Sequence, residues 1–144
     1  LPVDGGGVMK AEIADMRKTV EDLRATNDPA FGATATRLAE ALASFERATE
    51  YMLEKLGSAP QDALAGATPY MRLFGLVRGG ATLGAVGLIA HRKRAAGETD
   101  PAHAARIATA RFFAENVVVT AGGLETTITG AAESVLTADL ALAS

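Results

Sequence analysis

The chain has 144 residues, a net charge of −3, no cysteine and no tryptophan. That length suits one domain burying about 70% of its unfolded surface, and the charge gives no electrostatic footprint for nucleic acid. The missing thiols exclude disulfides, thiolate metal sites and a cysteine nucleophile, and they fit a reducing cytoplasm. The composition is 49% hydrophobic but only 5% aromatic, which points to helices packed closely through alanine and other small side chains.

Residues 1–7 lack the charged start and apolar run of a secretory leader and suit a linker. A first helix is predicted where Met9, Ile13, Met16, Val20 and Leu23 recur at alternating spacings of four and three. Thr26-Asn27-Asp28-Pro29 breaks it, because Pro29 disfavours helix at Asp28. The second helix is expected from about Ala30 to Leu56, on the stripe Phe31, Ala35, Leu38, Leu42, Phe45, Thr49, Met52 and Leu56, with Gly57 as its C′ residue. Ser58 and Pro60 start a short turn through Leu64. Thr68 as N-cap and Pro69 at N1 then open a third helix.

This third helix is apolar nearly all round, as the most buried member of a bundle would be. Gly97 ends it, and His91-Arg92-Lys93-Arg94 set positive charge near the negative end of its macrodipole. Its longest uncharged apolar stretch, Gly79 to Ala90, falls short of the ~20 residues of a spanning helix, so no transmembrane segment is expected. A fourth helix opens on Asp100-Pro101 and follows Ile107, Ala110, Ala114, Val117, Ala121, Leu124, Ile128, Ala131 and Val135, with Gly122-Gly123 a soft point. Short loops between long helices favour antiparallel neighbours. The fold expected is all-α, an up-and-down antiparallel four-helix bundle over residues 8–136, with 137–144 a flexible tail.

Groups able to titrate, attack or hold metal are sparse. Asp100 and His103 have ligand types at i, i+3, but Asp100 is better used in capping, and no Glu-x-x-His is present. Gly75, Gly79, Gly80, Gly84 and Gly87 are not a phosphate loop, because no strand precedes them and no Lys-Ser/Thr follows. Within a helical pattern each costs about 1 kcal/mol relative to alanine. Their return is close approach by a neighbouring helix or a partner subunit. Arg72, Arg78 and Arg111 interrupt apolar stretches. They either pair with carboxylates such as Glu46, Glu50 or Glu115 or contact another domain. The basic run at residues 91–94 could attract coenzyme A phosphates, though a solvated helix end explains it more simply. The candidate interface is thus Arg72, Gly75, Gly79, Gly80, Gly84 and Arg111, with no catalytic, cofactor-binding or metal residue in the chain.

Two segments carry a family resemblance: Thr68-Pro69-Tyr70-Met71-Arg72-Leu73-Phe74-Gly75-Leu76-Val77-Arg78-Gly79-Gly80, and Ile107-Ala108-Thr109-Ala110-Arg111-Phe112-Phe113-Ala114-Glu115-Asn116-Val117. Leu1-Pro2-Val3-Asp4-Gly5-Gly6-Gly7 looks like the linker, and Gly130-Ala131-Ala132-Glu133-Ser134-Val135-Leu136 like the closing helix, of the same domain. In this order they resemble the C-terminal accessory domain of FAD-dependent acyl-CoA dehydrogenases. The resemblance implies a parent oxidoreductase of fatty acid metabolism that dehydrogenates acyl-CoA thioesters at the α,β bond. A glutamate removes the α-proton, FAD takes the β-hydride, and an electron-transfer flavoprotein or similar acceptor is reduced. The family's Glu-Gly-Thr type motif is absent here, so no catalytic or flavin-contacting role is carried over. The implied role is structural, packing on the rest of the dehydrogenase or stabilising a homo-oligomer. The alternatives are a free-standing self-association module, suggested by the apolar stripes and Gly-x-x-x-Gly spacings, and a bundle that holds an acyl chain between helices.

Overall fold

The computed structural model describes residues 4–144, so Leu1–Val3 of the expected linker lie outside the described residues. Helix α1 spans Gly7–Ala25, α2 Thr34–Ser58, α3 Pro60–Ala95, α4 Pro101–Asn116, α5 Ala121–Gly130 and α6 Ala132–Ala143. Short 3-10 turns stand at Pro29–Phe31 and Val118–Thr120. The described residues are all-α. The stripes read from the sequence point inward in α1, through Ile13, Met16, Val20 and Leu23, and in α2, through Leu38, Leu42, Phe45 and Met52.

Helix α3 packs against all five other helices and forms the axis of the domain. Its length and apolarity alone would let it cross a membrane, but its contacts are those of a core helix. It begins at Pro60, with Ala59 as N-cap, and runs through Pro69, which was expected to start it. An internal proline costs about 3 kcal/mol. The turns before it offset that cost by burial: Ala63 and Gly66 are buried, and a Cβ on Gly66 would stand 3.4 Å from the Ile128 carbonyl oxygen. Gly57 is not a C′ residue either, because α2 continues through Ser58 and the chain turns at Ala59 (φ −147°, ψ 75°). Gly97 does end α3, at φ 95°. Its N–H reaches the Arg94 carbonyl at 3.0 Å and that of Glu98 the Lys93 carbonyl at 3.1 Å, a Schellman motif.

The expected fourth helix is in three pieces, so the described residues form six helices rather than an up-and-down four. Val117-Val118-Val119-Thr120 is a run of β-branched residues with restricted χ1 in a helix. At that point Asn116 Nδ2 donates to the Phe112 carbonyl and Thr120 Oγ1 to that of Val117. Val118 rather than Val117 is buried there, in step with the buried Ala114 before it and Ala121 and Ile128 after it. Around Gly130 the chain breaks again, and α6 takes residues 132–143 with no buried side chain. The expected start of α2 at Ala30 also moves. Pro29–Phe31 form a 3-10 turn capped by the Asp28 carboxylate, which accepts the Ala30 N–H at 2.9 Å, and Gly32 has a positive φ (52°).

Glycines on α3 divide by environment, and the difference is measurable. A methyl at Gly80 would lie 2.6 Å from Leu38 Cδ2 and 2.9 Å from Val118 Cγ2, both in buried side chains. Overpacking of about 1–3 kcal/mol then outweighs the ~1 kcal/mol gain in helix propensity. Gly75 has no atom within 4 Å of such a methyl. Denaturant unfolding is expected to show Gly80→Ala destabilised and Gly75→Ala stabilised by about 0.5–1 kcal/mol. Shifts of the same sign would contradict this division of the helix.

Candidate interaction surface

The residues singled out as an interface fall on different sides of the domain. Gly80 and Gly84 are buried; a Cβ at Gly84 would stand 2.9 Å from Leu23 Cδ1. Their close approach is to α1 and α2 of the same domain, which removes them from any partner's reach. Gly79 is half-buried, with a Cβ position 3.7 Å from the Phe113 ring. Arg72 and Gly75 are exposed on the outer side of α3, and Arg72 forms no salt bridge among the described residues.

Arg111 works inside the domain. It stands one helical turn before Glu115 on α4, with Nε 3.1 Å from Glu115 Oε2. Glu115 Oε1 accepts the Ala33 N–H at 2.9 Å, one of the donors left without an intrahelical partner where α2 starts. Gly32 must lack a side chain here, because Arg111 and Glu115 occupy the space a Cβ would take. The pair is therefore a cap supplied by α4 to α2. The Ala33 N–H, then the Arg111 guanidinium, hold the Glu115 carboxyl below its usual range.

Other ion pairs tie neighbouring helices together. Arg78 Nη1 lies 2.8 Å from Asp15 and 3.5 Å from Glu12, joining α3 to α1 rather than pairing with Glu46, Glu50 or Glu115. Glu46 pairs with Arg17. Arg47 forks onto Glu125 at 2.6 and 3.0 Å, joining α2 to α5 and lowering the pKa of Glu125. Neither histidine is free. His91 Nδ1 is 2.9 Å from Asp28 Oδ2, and the buried His103 has Nε2 2.8 Å from Glu98. Asp100 caps α4 by accepting the Ala102 N–H at 2.9 Å. Asp28 has a lowered pKa, chiefly from the Ala30 N–H and further from His91. The Asp28 and Glu98 partnerships were missed in the sequence. Asp28-Pro29 is a cap signal, but the Glu98 and Glu125 pairs leave no local trace.

The outer surface carries more apolar area than the interface residues suggested. Leu64 and Met71 are 65% and 55% exposed, and Ile89 and Phe112 are also largely exposed. A groove of about 270 Å³ runs between the start of α1, the end of α2 and the first half of α3, over Met9, Met52, Leu56, Leu64, Tyr70 and Met71. In its floor Tyr70 stacks on Phe45 (centroids 5.4 Å apart), its hydroxyl shares a 2.9 Å hydrogen bond with Thr49, and burial raises its pKa.

The sequence of these helices has a family. The family model described as acetyl-CoA dehydrogenase C-terminal like matches residues 12–139. The chain belongs to the C-terminal domain family of the acyl-CoA dehydrogenases. A relative from Ruegeria pomeroyi (strain ATCC 700808 / DSM 15171 / DSS-3), 3-methylmercaptopropionyl-CoA dehydrogenase, is 34% identical over 135 residues, 94% of this chain. The chain spans only 23% of the length of that relative. No solved structure gives a significant match. In this acyl-CoA dehydrogenase domain both resemblance segments include core positions, Tyr70, Leu73 and Val77 in α3 and Ile107, Ala110 and Ala114 in α4.

Asp28, Glu115 and Glu125 all ionise more readily in the folded domain. Each therefore contributes stability in full above the unfolded carboxyl pKa of ~4 and loses it as pH falls through that range to the lower folded value. Urea unfolding from neutral pH to about pH 3 is expected to show a smaller loss of stability for a Glu115→Gln, Glu125→Gln double variant than for the parent. An equal loss in both proteins would mean that these contacts do not form.

Proposed function

We propose that this chain is the structural C-terminal domain of an FAD-dependent acyl-CoA dehydrogenase and that it has no dehydrogenase activity alone. The observation that carries the reading is the family match over residues 12–139, in a chain that spans only 23% of a dehydrogenase relative. In this reading the preceding body of the enzyme holds the catalytic glutamate, FAD and the acyl-CoA pocket. That body oxidises the α,β bond of an acyl thioester and passes electrons to an electron-transfer flavoprotein or similar acceptor. The glycines of α3 do not fit a flavin pyrophosphate, because Gly80 and Gly84 are packed against Leu38 and Leu23 inside the domain.

The domain's own work in the cytoplasmic enzyme is to brace that body and its homo-oligomer. Clustered exposed apolar surface on a small domain favours a partner, and Leu64 and Met71 on the outer side of α3 supply it. The same exposed side of α3 favours the second reading, a module whose only partner is another copy of itself. Sequencing the gene upstream of the Leu1 codon, in frame, separates the two. A long coding region containing a Glu-Gly-Thr type motif is expected, and a start codon directly before Leu1 would remove the enzymatic reading. The purified 144-residue chain is expected to give no flavin reduction with added FAD and an acyl-CoA; measurable reduction would overturn the structural role.

A further inference from the structure

We propose that the groove between α1, α2 and the first half of α3 is the seat of the flavoprotein body that precedes this domain in the same chain. The inference rests on the functional reading above, and it names the surface and the occupant.

The groove has a buried floor and an exposed rim. Met52 and Tyr70 are closed off from solvent beneath it, while Leu64 and Met71, seven residues apart on one face of α3, stand more than half exposed. Exposed methionine and leucine around a recess of about 270 Å³ suit an inserted apolar side chain or helix edge. The chain also enters the domain at this place. Gly6 is buried against Leu53, Val8 is 65% exposed, and Met9 lines the groove itself. A body joined through Gly5–Gly7 emerges beside the rim, where a short tether gives an effective concentration on the order of millimolar. The match covers 23% of the relative's length, so that relative has ample chain to supply such a body.

Charge points the same way. Arg72 adjoins Met71 on the outer side of α3 and, like Arg24, Arg92, Arg94 and Arg106 elsewhere, has no carboxylate partner among the described residues; it is its place beside the apolar rim that matters. A guanidinium at the edge of an apolar patch suits a carboxylate or a helix C-terminus on the occupant. A two-fold pairing of two domains centred on Met71 would instead bring two Arg72 groups together, and like charges oppose it.

The test uses the uninterrupted gene product with a photoreactive amino acid in place of Met71, prepared as a mixture of light- and heavy-isotope chains. Crosslinks from this position to peptides of the preceding body, within chains of one label, are expected. Crosslinks to another copy, or none to the body, would overturn the proposal. Independently, Leu64→Glu with Met71→Glu is expected to speed protease cleavage at Gly5–Gly7 on the order of tenfold, with helical circular dichroism retained. Phe112→Glu with Val119→Glu, exposed on other elements and outside the groove, should leave cleavage unchanged. Equal cleavage in all proteins would also overturn the docking surface. A gene without an upstream flavoprotein body ends the functional reading and this proposal together. A body that is present but gives no contact at position 71 ends only the proposal.

Discussion

Helix α3 can sit at the centre of this domain because the second half of its inner face is built largely from residues with almost no side chain. At Gly80, Gly84 and Gly87 an added Cβ would stand within 3 Å of Leu38, Leu23 and Phe31 respectively. Side chains of α2, α1 and the Pro29–Phe31 turn thus reach nearly to the α3 backbone. Each glycine costs about 1 kcal/mol of helix propensity, and the large side chains it admits recover that cost through burial. Much of the rest follows from this seam. Phe31 reaches Gly87 only if the chain turns sharply after α1, which is why Asp28 caps that turn and Gly32 takes a positive φ. The α4 pair Arg111–Glu115 then secures the start of α2 across the same turn.

The seam also determines what remains outside. With one face of α3 committed to the core, its opposite side carries Leu64, Met71, Arg72, Val86 and Ile89 into solvent. A domain of this size with a satisfied interior and apolar residues along its central helix is suited to bracing another body. The proposed bracing role rests on that division, with core residues holding the face still and exposed residues open to a partner. Ion pairs such as Arg78–Asp15 and Arg47–Glu125 join helix to helix at the surface, where each is worth at most about 1 kcal/mol. They set register more than they supply stability.

Much of this was legible in the sequence wherever periodicity was the governing signal. The inward faces of α1 and α2, the end of α3 at Gly97 and the Asp100 cap follow from local patterns. So does the family, through two segments that lie on α3 and α4. The errors came where tertiary packing overrode a local preference. Pro69 looked like a helix start, but the burial of Ala63 and Gly66 carries α3 through it. Val117 looked like a core position, but Val118 is the buried one, because a step of four from Ala114 and then three to Ala121 faces the core as well as the reverse order does. The glycines of α3 could not be divided into packed and open ones without knowing which helices lie across from them. The pairing of His103 with Glu98 likewise depends on how the α3–α4 turn folds back.

The central claim is that α3 is the rigid axis that holds the docking face in place, and amide hydrogen exchange on this chain tests it most directly. Amides in deeply packed elements exchange only through global or large sub-global opening, and peripheral helices exchange far faster. The account predicts that the slowest amides lie in α3 between Leu73 and Leu88, where the buried positions cluster, and that α6, with no buried side chain, exchanges fastest among the helices. An α3 that exchanges as fast as α6, while α1 and α2 stay protected, would contradict it.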